Sequence, residues 1–200
     1  MKLRREFYAQ DTLEVARQLL GKTLVRNLDG RRVAGRIVET EAYLGPDDTA
    51  SHSRHGPLSR AKPMFGEPGY AYIYFTYGMY HCVNCVTEPA GSGTAVLIRA
   101  LEPLEGTDLM REYRQVRNPD RQLKDRDLAN GPGKLAQALQ LDKTLNGVDL
   151  TGSRLWLEDA PTVPDVKVGR TARIGISKGR ELEGRFYVIG SESVSRHPKY

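Results

Sequence analysis

Glu39, Glu41 and Tyr43 lie two apart in Arg36-Ile37-Val38-Glu39-Thr40-Glu41-Ala42-Tyr43. Strand alternation puts all three on one face, with Val38, Thr40 and Ala42 on the other. A carboxylate beside an aromatic platform can act as a general base toward water while the ring holds a flat substrate. The same spacing also describes an ordinary half-solvated strand, and it does not choose between the two glutamates. Arg99 is the one charge in the apolar run Ala95-Val96-Leu97-Ile98-Arg99-Ala100-Leu101. A guanidinium in a central strand must be paired, because an isolated buried charge costs several kcal/mol. Glu39 or Glu41 is its natural partner, in a structural or a catalytic pair.

Further polar candidates surround this pair. Asn84 shares a strand face with Cys82 and Val86, where a buried amide either ties down a loop or reads the edge of a ligand. His52 and His55, three apart in Ser51-His52-Ser53-Arg54-His55, have two of the four ligands a zinc ion needs, and no nearby Cys or further His completes the set. Neither a metal nor a cofactor is expected. Asn130-Gly131-Pro132-Gly133-Lys134 leads into a helical pattern and offers backbone N–H groups and a lysine to a phosphate, but lacks the spacing of a nucleotide-binding P-loop.

The elements that must position these residues include an unusual hairpin. Gly69 to Tyr80 reads GYAYIYFTYGMY and holds five of the ten tyrosines. Tyr70, Tyr72 and Tyr74 alternate along a strand, Tyr77-Gly78 interrupts it as a turn, and His81 to Val86 returns. Buried tyrosine hydroxyls need partners, so packing alone is an awkward explanation for the row. Flat rings gathered on one hairpin suit a planar ligand such as a nucleobase. Asp11-Thr12-Leu13-Glu14 has the form of a capping box ahead of Leu13, Ala16, Leu19 and Leu20 at helical spacing. Asp29-Gly30 joins strands at 22–27 and 31–43. Residues 45–68 form a long loop rich in Gly, Pro, Ser and charge, and loops of that length are usually functional or disordered. A strand at 94–101, helices near 107–117 and 133–141, and short strands beyond Arg154, including Val166-Lys167-Val168 and Arg173-Ile174-Gly175-Ile176, complete an α+β pattern.

Two hundred residues with 39% hydrophobic content fit one domain spanning residues 1–200. No apolar run suggests a signal peptide or a membrane span, so a cytoplasmic protein without membrane partners is expected. Cys82 and Cys85 point to opposite strand faces, which disfavours a disulfide. The net charge of +5 permits a polyanionic partner. Arg111, Arg114, Arg117, Arg121, Lys124 and Arg126 crowd one region, diluted by Glu112, Asp120, Asp125 and Asp127, and fit a mixed-charge helix face as well as a phosphate-tracking surface.

Several segments together resemble the alkyladenine, or 3-methyladenine, DNA glycosylase family. They are Arg36 to Pro46 (RIVETEAYLGP), Ala50 to Ser53 (ASHS), Tyr77 to Tyr80 (YGMY), Asn84, Leu97 to Glu105 (LIRALEPLE) and Gly131 to Leu139 (GPGKLAQAL). The similarity runs in order from about Phe7 to beyond Trp156. It implies a monofunctional enzyme that flips a damaged purine out of duplex DNA and hydrolyses its N-glycosidic bond without cofactor, metal or strand cleavage.

By this resemblance Glu41 is the general base and Arg99 lies near the attacking water. Tyr43, His52 and Tyr74 sandwich the extruded base, and Asn84 crowds the exocyclic amine of guanine. Tyr77 enters the minor groove as a wedge, with Met79 and Leu97 flanking it. Lys134, and Arg54, Arg60 or Lys62 in the long loop, are candidate phosphate contacts, while Tyr70, Tyr72 and Tyr80 are scaffold. The partner is double-stranded DNA containing damaged purines, and the protein is a monomer. The expected architecture is one α+β domain with a curved, mainly antiparallel β-sheet core, peripheral helices and a protruding β-hairpin. The competing readings are a non-catalytic nucleic-acid-binding module and a hydrolase of free nucleosides.

Overall fold

Asp29 and Gly30 both have positive φ, 51° and 87°, as the tightest hairpin turn requires. They join β1 (Thr23–Leu28) to β2 (Arg31–Tyr43). The computed structural model describes residues 1–76, 78–116 and 119–195 of the chain. Along one edge of β2, β1 covers the first half, from Leu28↔Arg31 to Thr23↔Arg36. Where β1 leaves, β8 (Arg185–Val188) takes over opposite Glu39, Thr40 and Glu41. The other edge pairs with β5 (Thr94–Glu105), with register shifts at Ala34/Gly35 and on either side of Glu39. Such bulges bend the strand and re-aim its side chains. With β3 (Ala71–Thr76), β4 (Tyr80–Thr87), β6 (Leu155–Glu158) and β7 (Val168–Thr171), an eight-stranded sheet runs β3-β4-β5-β2-β1-β6, and β7 joins through β8. Its pairings are antiparallel, so the fold is the curved α+β sheet that the sequence predicts.

The half-solvated reading of β2 does not hold: Val38 to Ala42 are all buried. One face is covered by α2 (Thr12–Gln18), whose Ala16 carbonyl accepts a 2.8 Å hydrogen bond from the Thr40 hydroxyl. The other holds charged side chains under the C-terminal segment. Asp11 caps α2 by accepting from Leu13 and Glu14 N–H, but the box is not reciprocal, because Glu14 accepts from Gln18 instead. Around this sheet pack α1 (Arg5–Tyr8), α3 (Thr107–Gln115) and α4 (Pro132–Ala138). Leu19, Leu20, Ile37, Ile98, Leu101, Leu135 and Leu139 close the core.

The register of β3 with β4 pairs Tyr72 with Asn84 and Tyr74 with Cys82, so these four side chains share one hairpin face. Ile73, Phe75, His81 and Val83 occupy the other. Tyr70 does not continue the row. It makes an isolated bridge to Asp149, and Arg5 lies 4.7 Å above its ring. Cys82 and Cys85 are free thiols on opposite faces. Helix α4 abuts the hairpin at Gly133, where a Cβ would stand 2.8 Å from the Tyr80 ring, so only glycine admits that approach. The long loop carries two short 3₁₀ turns, His52–His55 and Lys62–Phe65.

Of the expected C-terminal strands, one is displaced and one is absent. Val166 and Lys167 belong to a 3₁₀ turn, and β7 starts at Val168. Residues 173–176 are irregular, because the Ile174 N–H and the Arg173 guanidinium bond to other parts of the chain rather than to a ladder. Arg117, one of the basic cluster, lies outside the described residues. Among the described residues no helix is long and apolar enough to cross a membrane.

Candidate active site

Both glutamates of β2 have no solvent exposure, and Arg99 on β5 reaches both. Its Nε donates to Glu39 Oε1 at 3.0 Å and its Nη1 to Glu41 Oε2 at 3.1 Å. Arg185, facing Glu41 across the β2/β8 ladder, donates from Nε to Glu39 Oε1 at 2.7 Å. Two carboxylates and two guanidiniums thus neutralise one another, the condition for burying charge. Glu39 is saturated, since Ser195 adds its backbone N–H and hydroxyl, each at 2.8 Å. Burial pushes its pKa up, but Arg99 and Arg185 outweigh that and hold it below the ordinary carboxylate value. For Arg99, burial works against the charge, and Glu41 and Glu39 overcome it to raise its pKa.

Glu41 has different company. Oε1 accepts the Ile174 N–H at 2.7 Å, and Oε2 accepts the Tyr43 hydroxyl at 3.0 Å besides Arg99. These three donors, Tyr43, Arg99 and Ile174, line a cavity of about 540 Å³, and Glu41 sits directly behind them. Burial first, and then Glu41, raise the Tyr43 phenol well above its usual pKa, so it stays a donor.

The cavity's far wall is the hairpin face bearing Tyr72, Tyr74, Cys82 and Asn84, continued by His52. The His52 and Tyr74 rings meet edge to face with centroids 4.5 Å apart, and Tyr74 is 5.3 Å from Tyr72. Arg60, which can only donate, holds His52 Nε2 at 2.7 Å; the proton therefore sits on Nδ1 and is given to the Tyr72 hydroxyl at 3.0 Å. Burial, then the neighbouring Arg60 and His55, lower His52 to about 4, so the ring is neutral at neutral pH. Asn84 is buried, and its Nδ2 donates to the Tyr72 carbonyl at 2.9 Å, which fixes the amide plane against the cavity. The site is an aromatic slot with a buried, charge-compensated carboxylate behind one wall.

Of the residues singled out from sequence, Tyr43, His52, Tyr74, Asn84, Leu97 and Arg99 all line this one cavity, and Glu41 adjoins it. Leu97 is buried on β5, opposite Asn84 in the ladder. Met79 is half exposed at the hairpin turn, where its N–H returns to the Thr76 carbonyl at 3.2 Å. Tyr77 lies outside the described residues. Lys134 Nζ donates to Asn130 Oδ1 at 2.7 Å. Among the described residues no group of three His, Cys, Asp or Glu is arranged to hold a metal.

The structure adds residues that the sequence reading missed. Arg173 and Asp48 form a buried ion pair, and Arg173 also donates to the Ala42 and Gly179 carbonyls while lying 4.9 Å above the Tyr43 ring. This clamp holds the segment whose Ile174 N–H meets Glu41. Tyr72, expected as scaffold, lines the cavity and orients His52. Arg185 opens the otherwise apolar Arg185-Phe186-Tyr187-Val188, the same lone-cation signal that marks Arg99. Ser195 and the Ile174 N–H carry no comparable signal in sequence.

Comparison with known proteins is consistent along nearly the whole chain. The family model described as methylpurine-DNA glycosylase matches residues 6–192. A protein of Chlorobium phaeovibrioides named "Putative 3-methyladenine DNA glycosylase" is 48% identical, over 98% of this chain and 97% of its own. Proteins with the same name from Chlorobaculum parvum and Methanocella arvoryzae are 49% and 48% identical, each over 97% of this chain and over 90% and 96% of their own. With this match spanning the sheet, the hairpin and the buried carboxylate site, the chain belongs to the methylpurine-DNA glycosylase family.

Proposed function

We propose that this DNA glycosylase flips an alkylated purine, such as 3-methyladenine or 7-methylguanine, from duplex DNA into the aromatic slot and releases it by hydrolysis, with Glu41 as general base. The observation that carries this reading is the asymmetry of the two buried glutamates. Glu39 is saturated by two arginines and Ser195, whereas Glu41 meets the cavity wall through Tyr43 and Arg99.

The extruded base stacks between Tyr43 and the His52/Tyr74 pair. A cationic methylated base gains about 0.5 to 2 kcal/mol from the faces of such rings, which normal purines forgo. Neutral His52 adds no repulsion. Asn84, its amide plane fixed by the Tyr72 carbonyl, crowds a base that carries a 2-amino group. Tyr77 fills the gap left in the duplex and offsets part of the unstacking cost, a few kcal/mol.

Methylation makes the base a good leaving group, so it departs with the bonding electrons of the N-glycosidic bond and leaves an oxocarbenium-like sugar. A water beside Arg99 displaces the Tyr43 hydroxyl from Glu41 Oε2, gives its proton to that carboxylate and adds to the sugar carbon. Contacts of this kind tighten only when substrate is bound. The nucleophile in this reading is the water and not an amine, so no Schiff base forms and the phosphodiester chain stays intact.

The test is incubation with duplexes each carrying one defined lesion, followed by chromatography of the products. Free modified base and an abasic strand that breaks only on alkali treatment are expected. Binding without free base would replace the reading with a non-catalytic module. Turnover of free nucleosides would replace it with a nucleosidase.

A further inference from the structure

A second cavity, of about 340 Å³, opens on the other side of the hairpin, between its turn and α3 and α4. Its polar lining is His81, Arg114, Arg121 and Gln137, with Met79 and Tyr80 from the turn. Among the described residues neither Arg114 nor Arg121 has a carboxylate at ion-pair distance. Arg111, one turn earlier on α3, pairs with both Asp108 and Asp125. Arg114 instead spends Nη1 on the neutral Gln137 side chain, and its buried Nε has no partner among the described residues. Both guanidiniums line this one cavity, and burial, then the neighbouring Arg121, lower the pKa of Arg114. A pair of like charges lining one cavity, neither with a carboxylate at ion-pair distance, is matched by an anion that takes hydrogen bonds from both.

The position says which anion. Tyr72, Tyr74, Cys82 and Asn84 put the base slot on one face of the hairpin, whereas His81 lies on the opposite face and lines the second cavity with the arginines. A hairpin that parts a duplex has the damaged strand on its slot side and the intact strand behind it. We propose that Arg114 and Arg121, with His81, hold a backbone phosphate of the undamaged strand. This site rests on the reading of the hairpin as a duplex-parting element. It gives the enzyme a purchase on double-stranded substrate that is separate from base recognition and chemistry.

The experiment measures binding to a lesion duplex in which single linkages of the undamaged strand are replaced, one at a time, by uncharged methylphosphonates. Wild-type protein should lose about tenfold in affinity at one or two linkages, the value of a charge-assisted hydrogen bond. Arg121→Gln, at an exposed position, should bind about tenfold more weakly to duplex, lose the sensitivity to those linkages, and flatten the salt dependence by about one phosphate. Its affinity for the same lesion in single-stranded DNA should be unchanged. Arg114→Lys keeps the charge without the fork and should fall in between.

Unchanged affinity and salt slope in Arg121→Gln would overturn the proposal. So would loss of sensitivity at linkages of the damaged strand instead. Inorganic phosphate raising the melting temperature as far as duplex does would reassign the cavity to a small anion. Because the readout is binding, a protein that binds in this pattern but releases no base would refute the proposed chemistry and leave this site standing.

Discussion

Exchanging each buried glutamate for glutamine separates chemistry from support. In Glu41→Gln the amide oxygen can still accept the Ile174 N–H. The amide nitrogen, however, must face Arg99 Nη1, which can only donate, and the Tyr43 hydroxyl, which has to turn from donor to acceptor. Arg99 retains Glu39 at 3.0 Å, so the cost is of the order of an unsatisfied buried group, about 1–3 kcal/mol. For a chain of this size that lowers the melting temperature by roughly 2 to 12 °C.

Loss of a general base removes about 10²- to 10⁴-fold in rate, equivalent to roughly 3 to 5 kcal/mol of barrier. Glu39→Gln has the opposite profile. It strips Arg185 of its carboxylate and half-unpairs Arg99, and breaking a buried pair costs about 3–5 kcal/mol. The assay is single-turnover base release from a 7-methylguanine duplex, below the melting temperature of both variants, with binding followed by fluorescence anisotropy. Glu41→Gln should bind and release almost nothing, whereas folded Glu39→Gln should release base within about tenfold of wild type. If Glu39→Gln abolishes release in folded protein while Glu41→Gln turns over, the assignment of roles is wrong.

Three further outcomes follow from the same geometry. Tyr43→Phe removes the hydroxyl that covers Glu41 Oε2 but keeps the ring, so release of 7-methylguanine should stay within about tenfold of wild type, and a 10³-fold loss would show that the phenol takes part in proton transfer. His52 is lowered to about 4 when folded and is near 6.5 unfolded, so the unfolded chain takes up the proton first; the contribution is whole above pH 6.5 and lost as pH falls toward 4. Discounted for the ring's partial exposure, the loss is about 1–2 kcal/mol. His52→Gln should therefore flatten denaturant-derived stability across that window, and an identical slope in the variant would count against the neutral ring. Asp48→Asn leaves Arg173 buried without a counter-charge and should destabilise by about 3–5 kcal/mol, with residues 172–184 gaining amide exchange ahead of β5; uniform exchange would mean the clamp is not local.

Most of the strands, the first hairpin turn and much of the candidate site's lining are legible in the order of residues alone. Alternation and Asp29-Gly30 placed β1 and β2, a lone arginine in an apolar run marked Arg99, and the tyrosine row marked the slot wall. These signals are legible because each is local: a period of two, a dipeptide that tolerates positive φ, a charge that cannot stay unpaired. Alternation also failed where local pattern and tertiary environment part. It left open a half-solvated β2 and suggested a strand at Arg173-Ile174-Gly175-Ile176.

Which glutamate is saturated emerges on folding, because the deciding donors, Arg185 and Ser195, come from more than 140 positions away. Folding alone ties Arg173 to Asp48, brings a backbone N–H onto Glu41, and sets His52 between Arg60 and Tyr72 so that the ring stays neutral. Such contacts join groups distant in sequence, and their energies depend on burial and on which donors share one oxygen. Neither is a property of residue type or spacing.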